Sequence, residues 1–197
     1  MEENKIIGLV HFYVLNLLSD NLPEGMYFHN INHTQEVVRA AIEIADACHC
    51  TPMQLEVIIL AAWFHDSGYI KAYVDHEDFS KAIAEDFLEK QNYPAEMIGQ
   101  VLTCIEATRF PQNPKSPEAN ILADADMYHF TKPDYSSYEQ RLRKEFANQL
   151  NKVYKDTEWN KINYNLLRNH AYFTPYGRKV LQKFKELNIE RLEKKLM

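Results

Sequence analysis

Apolar side chains recur every three or four residues along most of this chain. One series runs through Val37, Ala41, Ile44 and Cys48, which places its members on one face of an α-helix. The same spacing continues at Leu55, Ile58, Ile59, Ala62 and Trp63, at Phe79, Ile83 and Phe87, and at Ile98, Val101, Leu102 and Ile105. No stretch of useful length alternates between apolar and polar residues, as a half-buried strand would. The pattern therefore predicts an all-α fold.

Capping and helix-breaking residues indicate where these helices begin and end. Thr51 followed by Pro52 is typical of an N-cap and a first helical position. Gly68 is expected to end the helix that begins there, and Pro94 is expected to open a later one. The segment 110–117 contains three prolines, which remove backbone donors and fix φ. It is therefore predicted to be an exposed loop.

The beginning of the chain is predicted to be an amphipathic helix. Its apolar run from Ile6 to Leu18 follows acidic rather than basic residues and is interrupted by His11 and Asn16. It therefore resembles neither a signal peptide nor a membrane span, which needs about 20 apolar residues. A cytoplasmic protein is expected.

The last third of the chain is predicted to be a helical extension. A short buried helix is expected from Ile121 to Phe130. After Pro133 the chain becomes charged and aromatic, and helical spacing continues over 138–153, 159–169 and 175–195. We expect one helical domain over residues 1–197, in which the segment at about 134–197 packs on the preceding part.

Composition and charge restrict the class of partner. The chain has 197 residues and a net charge of -6, so it lacks the basic character that general nucleic-acid binding requires. A small phosphorylated substrate stays compatible, because a metal ion and a few basic groups can bind it locally. Three sparse cysteines, Cys48, Cys50 and Cys104, do not form a disulfide framework. The oligomeric state is left open, with a homodimer as one option.

Three segments combine histidines and aspartates with apolar neighbours. They read FHNINH at 28–33, AWFHDSGY at 62–69 and LADADM at 122–127. His65 and Asp66 follow an apolar helical face, and burying a carboxylate without a partner is costly. Asp124 and Asp126 raise the same difficulty in a second apolar helix. A cation bound by imidazole and carboxylate groups would remove that cost.

Helical bundles bind metals through inward-facing ligands from several helices. His33, expected near the start of an earlier helix, would complete such a set. Mixed nitrogen and oxygen ligands suit an octahedral Mn, Fe, Co, Ni or Mg ion better than a closed structural zinc site. One divalent ion is expected, and a second is left open. A single histidine on an apolar face is more often a hydrogen-bonded core residue, so the hypothesis depends on the combination.

This combination resembles the HD superfamily of metal-dependent phosphohydrolases, whose pattern is a histidine, a His-Asp pair and a distant aspartate. FHNINHTQEV is similar to the family's Y-H-N-x-x-H opening, with Phe28 in place of tyrosine. AAWFHDSGY is similar to its A-x-x-H-D-x-G-Y block, and ADADM to its A-D-x-L block, with Met127 in place of a common leucine. The resemblance covers about residues 26–130. It implies an HD-domain-like helical bundle as the core, on which the C-terminal helical extension packs.

The resemblance also implies a ligand set and a reaction. The metal ligands would be His33, His65, Asp66 and Asp126. Asp124 is the other candidate for the fourth ligand, but a helix would point it to another side, so a supporting or structural role is expected for it. The implied reaction is hydrolysis of a phosphate ester or anhydride by a metal-activated water, which Asp66 would also orient. A nucleotide is the leading substrate class.

Four further residues are candidates for catalysis and substrate binding. His29 and His76 are alternative proton donors to the leaving group. The position of His29 is similar to that of a donor in cyclic-nucleotide phosphodiesterases, whereas His76 lies in an expected loop and could equally be a solvated side chain. Arg109 and Lys115 flank the proline-rich loop and are candidates for binding phosphate, although exposed basic residues often bind nothing specific.

Two other functions within the same superfamily stay open. Some HD proteins are di-iron oxygenases, which use extra histidines between the His-Asp pair and the last aspartate. Only His76 lies in that interval here. The second alternative is a non-catalytic HD module that binds a nucleotide, but the ligand set is complete, which argues against lost chemistry.

Overall fold

In a computed structural model, which describes residues 5–197, the chain folds into helices joined by short turns. In chain order these are α1 Lys5–Asn21, α2 Ile31–Ala47, α3 Pro52–Phe64, α4 His76–Lys90, α5 Ala95–Glu106, α6 Pro117–Asp126, α7 Tyr135–Gln149, α8 Asp156–Asn169 and α9 Gln182–Leu196. Short 3-10 turns follow at Ser67–Ile70 and Met127–Thr131, and a π-helical turn at Gly177–Leu181 leads into α9. The described residues include no strand, so the all-α prediction is confirmed. None of the helices within residues 5–197 is long and apolar enough to cross a membrane.

Helix α3 forms the centre of the core. Its residues 57–64 are buried without interruption, as expected of a helix that is hydrophobic on all sides. Helices α1, α2, α5 and α6 pack around it, and their apolar side chains join it in one cluster. The helix begins, as predicted, at Thr51, where a capping box with Gln54 satisfies two backbone donors.

A second apolar cluster connects the C-terminal helices to the rest of the chain. Its buried members are Phe28, Phe130, Tyr135, Tyr138, Leu167 and Leu192. Phe28 precedes α2 and Phe130 follows α6, while the others belong to α7, α8 and α9. The histidine-containing segment before α2 is thereby packed close to α7.

Asp124 on α6 binds the C-terminal segment to the core. Its buried carboxylate accepts hydrogen bonds from the backbone N–H of Phe173 at 2.8 Å and of Thr174 at 2.9 Å, and from the Thr174 hydroxyl at 2.6 Å. Gly177 packs against the same group, because a Cβ there would lie 2.3 Å from Asp124 Oδ2. Burial raises the pKa of Asp124 above its usual value, and these hydrogen bonds offset part of that effect. Asp124 therefore already has protein partners for its carboxylate.

Four predicted boundaries are wrong, including those of the helix expected from Ile121 to Phe130, which is α6 Pro117–Asp126 in the structure. Helix α3 ends at Phe64, and Gly68 lies within the 3-10 turn that follows. His76 is the first residue of α4, although the sequence predicts a loop there. Both differences arise because the 3-10 turn packs on α4, where the Gly68 N–H donates to the Ser80 hydroxyl at 2.8 Å. Val153 lies beyond the end of α7 and is exposed.

Candidate metal centre and its cavity

His33 is positioned by the start of α2. Asn30 caps this helix, and its side-chain oxygen accepts a hydrogen bond from the N–H of Asn32 at 3.0 Å, which is a common N-cap arrangement. His33 consequently lies in the first turn, where it is buried. Its ring centre is 5.5 Å from that of His65.

His65 and Asp66 lie between α3 and the following 3-10 turn, and both are buried. The Nδ1 atom of His65 is 2.8 Å from the backbone oxygen of Ala62. This contact places a proton on Nδ1, so Nε2 is the nitrogen that is left for a metal ion or a second proton. A backbone acceptor that fixes the tautomer in this way is typical of metal-binding histidines.

Asp126 completes the cluster from the last residue of α6. Its Oδ1 lies 3.3 Å from His33 Nε2 and 3.9 Å from His65 Nε2. Its Oδ2 accepts a hydrogen bond from Gln112 Nε2 at 3.3 Å, and the same amide donates to the backbone oxygen of Ala123 at 3.2 Å. Gln112, in the proline-rich loop, therefore orients Asp126, and no pattern in the sequence indicates that contact.

The donor atoms of this cluster fit a cation. Nε2 of His33, Nε2 of His65 and Oδ2 of Asp66 are buried and have no hydrogen-bond partner in the described part of the chain. Each of the three residues offers one ligand atom within 4.8 Å of the others. Asp66 Oδ2 is 3.1 Å from His65 Nε2 and 3.4 Å from His33 Nε2. Unpaired buried polar atoms are costly, and one metal ion would satisfy all three.

The charges of the cluster also favour a cation. Burial, the largest single effect, lowers the pKa of the His65 imidazole, but the charges of Asp66 and Asp126 and the hydrogen bonds to the ring together raise that pKa to about 9. Burial raises the pKa of Asp66, yet the charge and hydrogen bond of His65, together with His76 and His29, hold it well below its usual value. A site that stabilises a proton in this way also stabilises a metal ion, which competes with that proton for the imidazole nitrogen.

Gly68 allows the 3-10 turn to approach the first turn of α4. A Cβ at this position would lie 1.9 Å from the backbone oxygen of His76 and 2.7 Å from the backbone nitrogen of Ser80, and backbone atoms do not give way without moving α4. We expect Gly68→Ala to lower the free energy of unfolding by about 1–3 kcal/mol. Gly99→Ala is the matched control, because a Cβ there meets nothing within 4 Å. Urea denaturation measures both, and equal losses would contradict this explanation.

His76 joins the cluster from the start of α4. Its Nε2 lies 3.4 Å from Asp66 Oδ1, and its Nδ1 lies 3.7 Å from Glu77. The ring stacks on Tyr69 with centres 3.8 Å apart. The side chain is only 13% exposed, so the solvated loop histidine that the sequence left as an alternative is not what the structure contains.

His29 reaches the same region from the segment before α2. Its Nδ1 is hydrogen-bonded to Oε1 of Glu145 on α7, which also accepts from the Tyr73 hydroxyl at 2.8 Å. The other Glu145 oxygen accepts from the backbone N–H of Phe28 at 2.7 Å and of His29 at 3.0 Å. Burial lowers the pKa of His29, but the hydrogen bond to Glu145 and its charge raise that pKa above the ordinary value overall. Glu145 therefore favours protonated His29.

His129 is a further imidazole at the site, which the motif analysis missed. It follows Asp126 by one turn, and its Nδ1 lies 3.0 Å from the Asp126 backbone oxygen. Burial and the nearby charge of His33 lower the pKa of His129 to about 3, so the ring is neutral near pH 7. The Asp-x-x-His spacing, which puts both residues on one side of a helical turn, is the signal that could have indicated it.

The two predicted phosphate-binding residues do not line the cavity beside the cluster. Lys115 is exposed and donates to Asn113 in its own loop at 2.7 Å. The guanidinium of Arg109 lies 2.7–3.2 Å from carboxylates of Glu106, Asp78, Asp75 and Glu77. Sequence proximity to the loop could not reveal these ion pairs.

The cavity has a volume of about 370 Å³. Its polar lining includes the candidate metal centre and the surrounding imidazoles, namely Asp66, Asp126, His29, His76 and His129, together with Glu77, Thr108 and Asn163. Much of the remaining lining consists of apolar side chains from α7 and α8. The cluster therefore opens into a space that can hold the organic part of a small molecule.

A helical bundle with a buried cluster of two histidines and two aspartates belongs to the class of metal-binding helical proteins. The family model described as HD domain matches residues 30–131, which is more than half of the chain. The chain therefore belongs to the HD domain family, and the membership predicted from the motifs is confirmed. In general terms it is a metal-dependent hydrolase. No curated protein matches the chain.

Three solved structures share the fold. A predicted HD superfamily hydrolase from an uncultured Thermotogales bacterium is 21% identical, with a TM-score of 0.62, over 94% of this chain and 90% of that one. Bacillus subtilis YpgQ in complex with ADP is 20% identical, with a TM-score of 0.68, over 99% and 97% of the two chains. A Lactobacillus plantarum protein is 16% identical, with a TM-score of 0.64, over 100% and 95%. The shared fold thus includes the C-terminal helices.

Proposed function

We propose that this chain is a phosphohydrolase that cleaves a phosphate ester or anhydride, with a divalent ion held by His33, His65, Asp66 and Asp126. The observation that supports this proposal most directly is that three buried atoms have no hydrogen-bond partner: Nε2 of His33, Nε2 of His65 and Oδ2 of Asp66. Asp126 adds a carboxylate oxygen next to both imidazoles. This donor set suits Mn, Fe, Co, Ni or Mg, and the number of ions is a question for metal analysis.

The residues of the cavity divide the chemistry between them. A bound divalent ion lowers the pKa of a coordinated water and polarises a phosphoryl oxygen. The Asp66 carboxylate has two oxygens. Oδ2 would bind the metal ion, and Oδ1 would orient the attacking water. His29, whose pKa Glu145 raises, donates a proton to the leaving oxygen. His76 is the alternative donor, because it also lines the cavity.

Nucleotides are the first substrate class to test. The YpgQ structure, which shares the fold over nearly the whole chain, contains ADP. The cavity of about 370 Å³ beside the cluster offers space for an organic group attached to the phosphate. Arg109 is not favoured as a phosphate ligand because carboxylates surround its guanidinium, and Lys115 lies outside the cavity.

We also propose that the family core and the C-terminal extension act as one domain. Glu145 on α7 hydrogen-bonds to His29 in the core, and α8 contributes apolar residues to the cavity. Asp124 on α6 in turn binds the segment before α9. The candidate site would be incomplete without the extension.

We expect the purified protein to contain about one divalent transition ion per chain by elemental analysis. Chelation should abolish hydrolysis, and one of Mn, Fe, Co, Ni or Mg should restore it in a panel of nucleotides and simple phosphate esters. His33→Ala should lose the ion, whereas His49→Asn, which changes an exposed histidine outside the cluster, should keep it. Oxygen consumption by an iron-loaded protein that hydrolyses no phosphate compound would support the oxygenase instead. Nucleotide binding without turnover would support the non-catalytic module.

A further inference from the structure

The cavity beside the candidate metal centre is lined by imidazoles, carboxylates and apolar side chains, and His29 is the imidazole whose protonated form Glu145 favours. Within the described range 5–197, neither lysine nor arginine lines it, while the carboxylates of Asp66, Glu77 and Asp126 do. Enzymes that bind polyphosphates place cationic side chains or further metal ions along the phosphate chain. This lining therefore favours a substrate with a single phosphate, bound at the metal centre.

Arg109 does not supply the missing charge. Its Nη1 lies 3.0 Å from Asp75 and 3.2 Å from Glu77, and its other two nitrogens contact Glu106 and Asp78. Lys81 is a second cation in this group, because it contacts Asp78 and Glu106. Two cations among four carboxylates still leave the group negative as a whole. Moving Arg109 towards a phosphate would also leave Glu77, which is 5% exposed, as a buried charge without its partner.

The part of the cavity formed by α7 and α8 is apolar. Leu142, Phe146, Trp159, Ile162 and Leu166 line it. The indole N–H of Trp159 is hydrogen-bonded to buried Glu139, so it offers a ligand no free donor. These side chains offer contact area and no hydrogen bond.

Asn163 is the polar residue that α8 adds to this lining, and its side chain already has hydrogen-bond partners in the protein. The Asn163 side-chain oxygen accepts from the Tyr135 hydroxyl at 2.8 Å, and its nitrogen donates to the Trp159 backbone oxygen at 2.9 Å. Thr108, which also lines the cavity, donates its hydroxyl to the Ile105 backbone oxygen at 2.8 Å. A ligand with many donors and acceptors at this end would lose hydrogen bonds to water without replacing them.

We propose that the substrate is a phosphomonoester of a bulky apolar or aromatic alcohol, with its phosphate at the metal centre and its ring between α7 and α8. The inference rests on the proposed phosphohydrolase function. The lining of the cavity favours this substrate class over the nucleotides that the ADP complex of YpgQ suggests. Water attacks phosphorus, the P–O bond to the organic group breaks, and the leaving oxygen takes a proton from His29, which releases inorganic phosphate and the alcohol. A nucleoside monophosphate carries the single phosphate that the lining favours, but its sugar and base are too polar for the apolar end of the cavity. A nucleoside triphosphate fails on both counts.

Phosphonates, which are not hydrolysed, test the ring site without turnover. We expect the metal-loaded protein to bind naphthylmethylphosphonate at least about tenfold more tightly than methylphosphonate in calorimetry. Ile162→Glu should remove most of that preference while leaving methylphosphonate affinity within about twofold. Ile42→Glu is the matched control, because Ile42 is 41% exposed against 40% for Ile162 and does not line the cavity. Circular dichroism checks that both variants are folded.

Hydrolysis separates this inference from the proposed function. If the inference holds, kcat/KM for naphthylmethyl phosphate, whose leaving group is an alcohol like that of glycerol phosphate, exceeds kcat/KM for glycerol phosphate and for ATP by about tenfold or more. Equal affinities for the two phosphonates, or preferred hydrolysis of ATP or AMP, would overturn the substrate class and leave the phosphohydrolase intact. Ring-phosphonate preference in a metal-loaded protein that hydrolyses no ester would reject the reaction and leave the apolar site intact.

Discussion

Asp126→Asn is expected to lose the metal ion and to lower turnover by on the order of 10³-fold or more, with little loss of stability. Asp124→Asn, two residues earlier on α6, should keep the ion and most of the turnover. It should instead lower the free energy of unfolding by about 2–4 kcal/mol, because it weakens hydrogen bonds to a buried charge. The two substitutions are chemically identical, so each is the control for the other.

The contrast follows from what the two carboxylates contact. Asp126 directs one oxygen at the imidazoles of His33 and His65, whereas Asp124 accepts three hydrogen bonds from Phe173 and Thr174. Elemental analysis, urea denaturation and kcat of both variants test the assignment. Metal loss in Asp124→Asn with a metal-replete Asp126→Asn would exchange their roles.

Much of the helical fold could be predicted because local spacing determines it. The apolar positions Val37, Ala41 and Ile44 are buried on one face of α2, and the Thr51 cap begins α3. The end of α3 and the start of α4 could not be predicted in the same way. They depend on the close approach of Gly68 to His76. The spacing of apolar residues along the chain does not indicate such a contact between two segments.

The candidate site could be predicted only in part. Its motif residues His33, His65, Asp66 and Asp126 occur in short segments that a sequence comparison can detect, and their roles stay predictions. Residues that orient the other side chains of the site, such as His29, are harder to find in the sequence. Glu145 is separated from His29 by 116 positions, and an isolated glutamate in a charged helix carries no signal.

Loss of the leaving-group donor is the second large effect that we expect. His29→Gln should keep the metal ion and lower kcat by about 10²–10⁴-fold with little change in KM, because glutamine forms hydrogen bonds but does not act as an acid. Glu145→Gln should lower kcat less, since the imidazole is still present. Both losses should shrink for nitrophenyl phosphate, whose leaving group needs no proton.

The pH dependence of kcat identifies the donor. Burial lowers the pKa of His29, and Glu145 raises it above the ordinary histidine value overall. An acid must be protonated, so kcat should fall as pH rises through this raised pKa. Glu145→Gln removes the negative charge, so the fall should move to lower pH. Glu139→Gln, which changes a buried glutamate of α7 that contacts Trp159, should leave the profile in place. If the pH profile of kcat does not move in Glu145→Gln and kcat falls strongly in His76→Gln, His76 would be the proton donor.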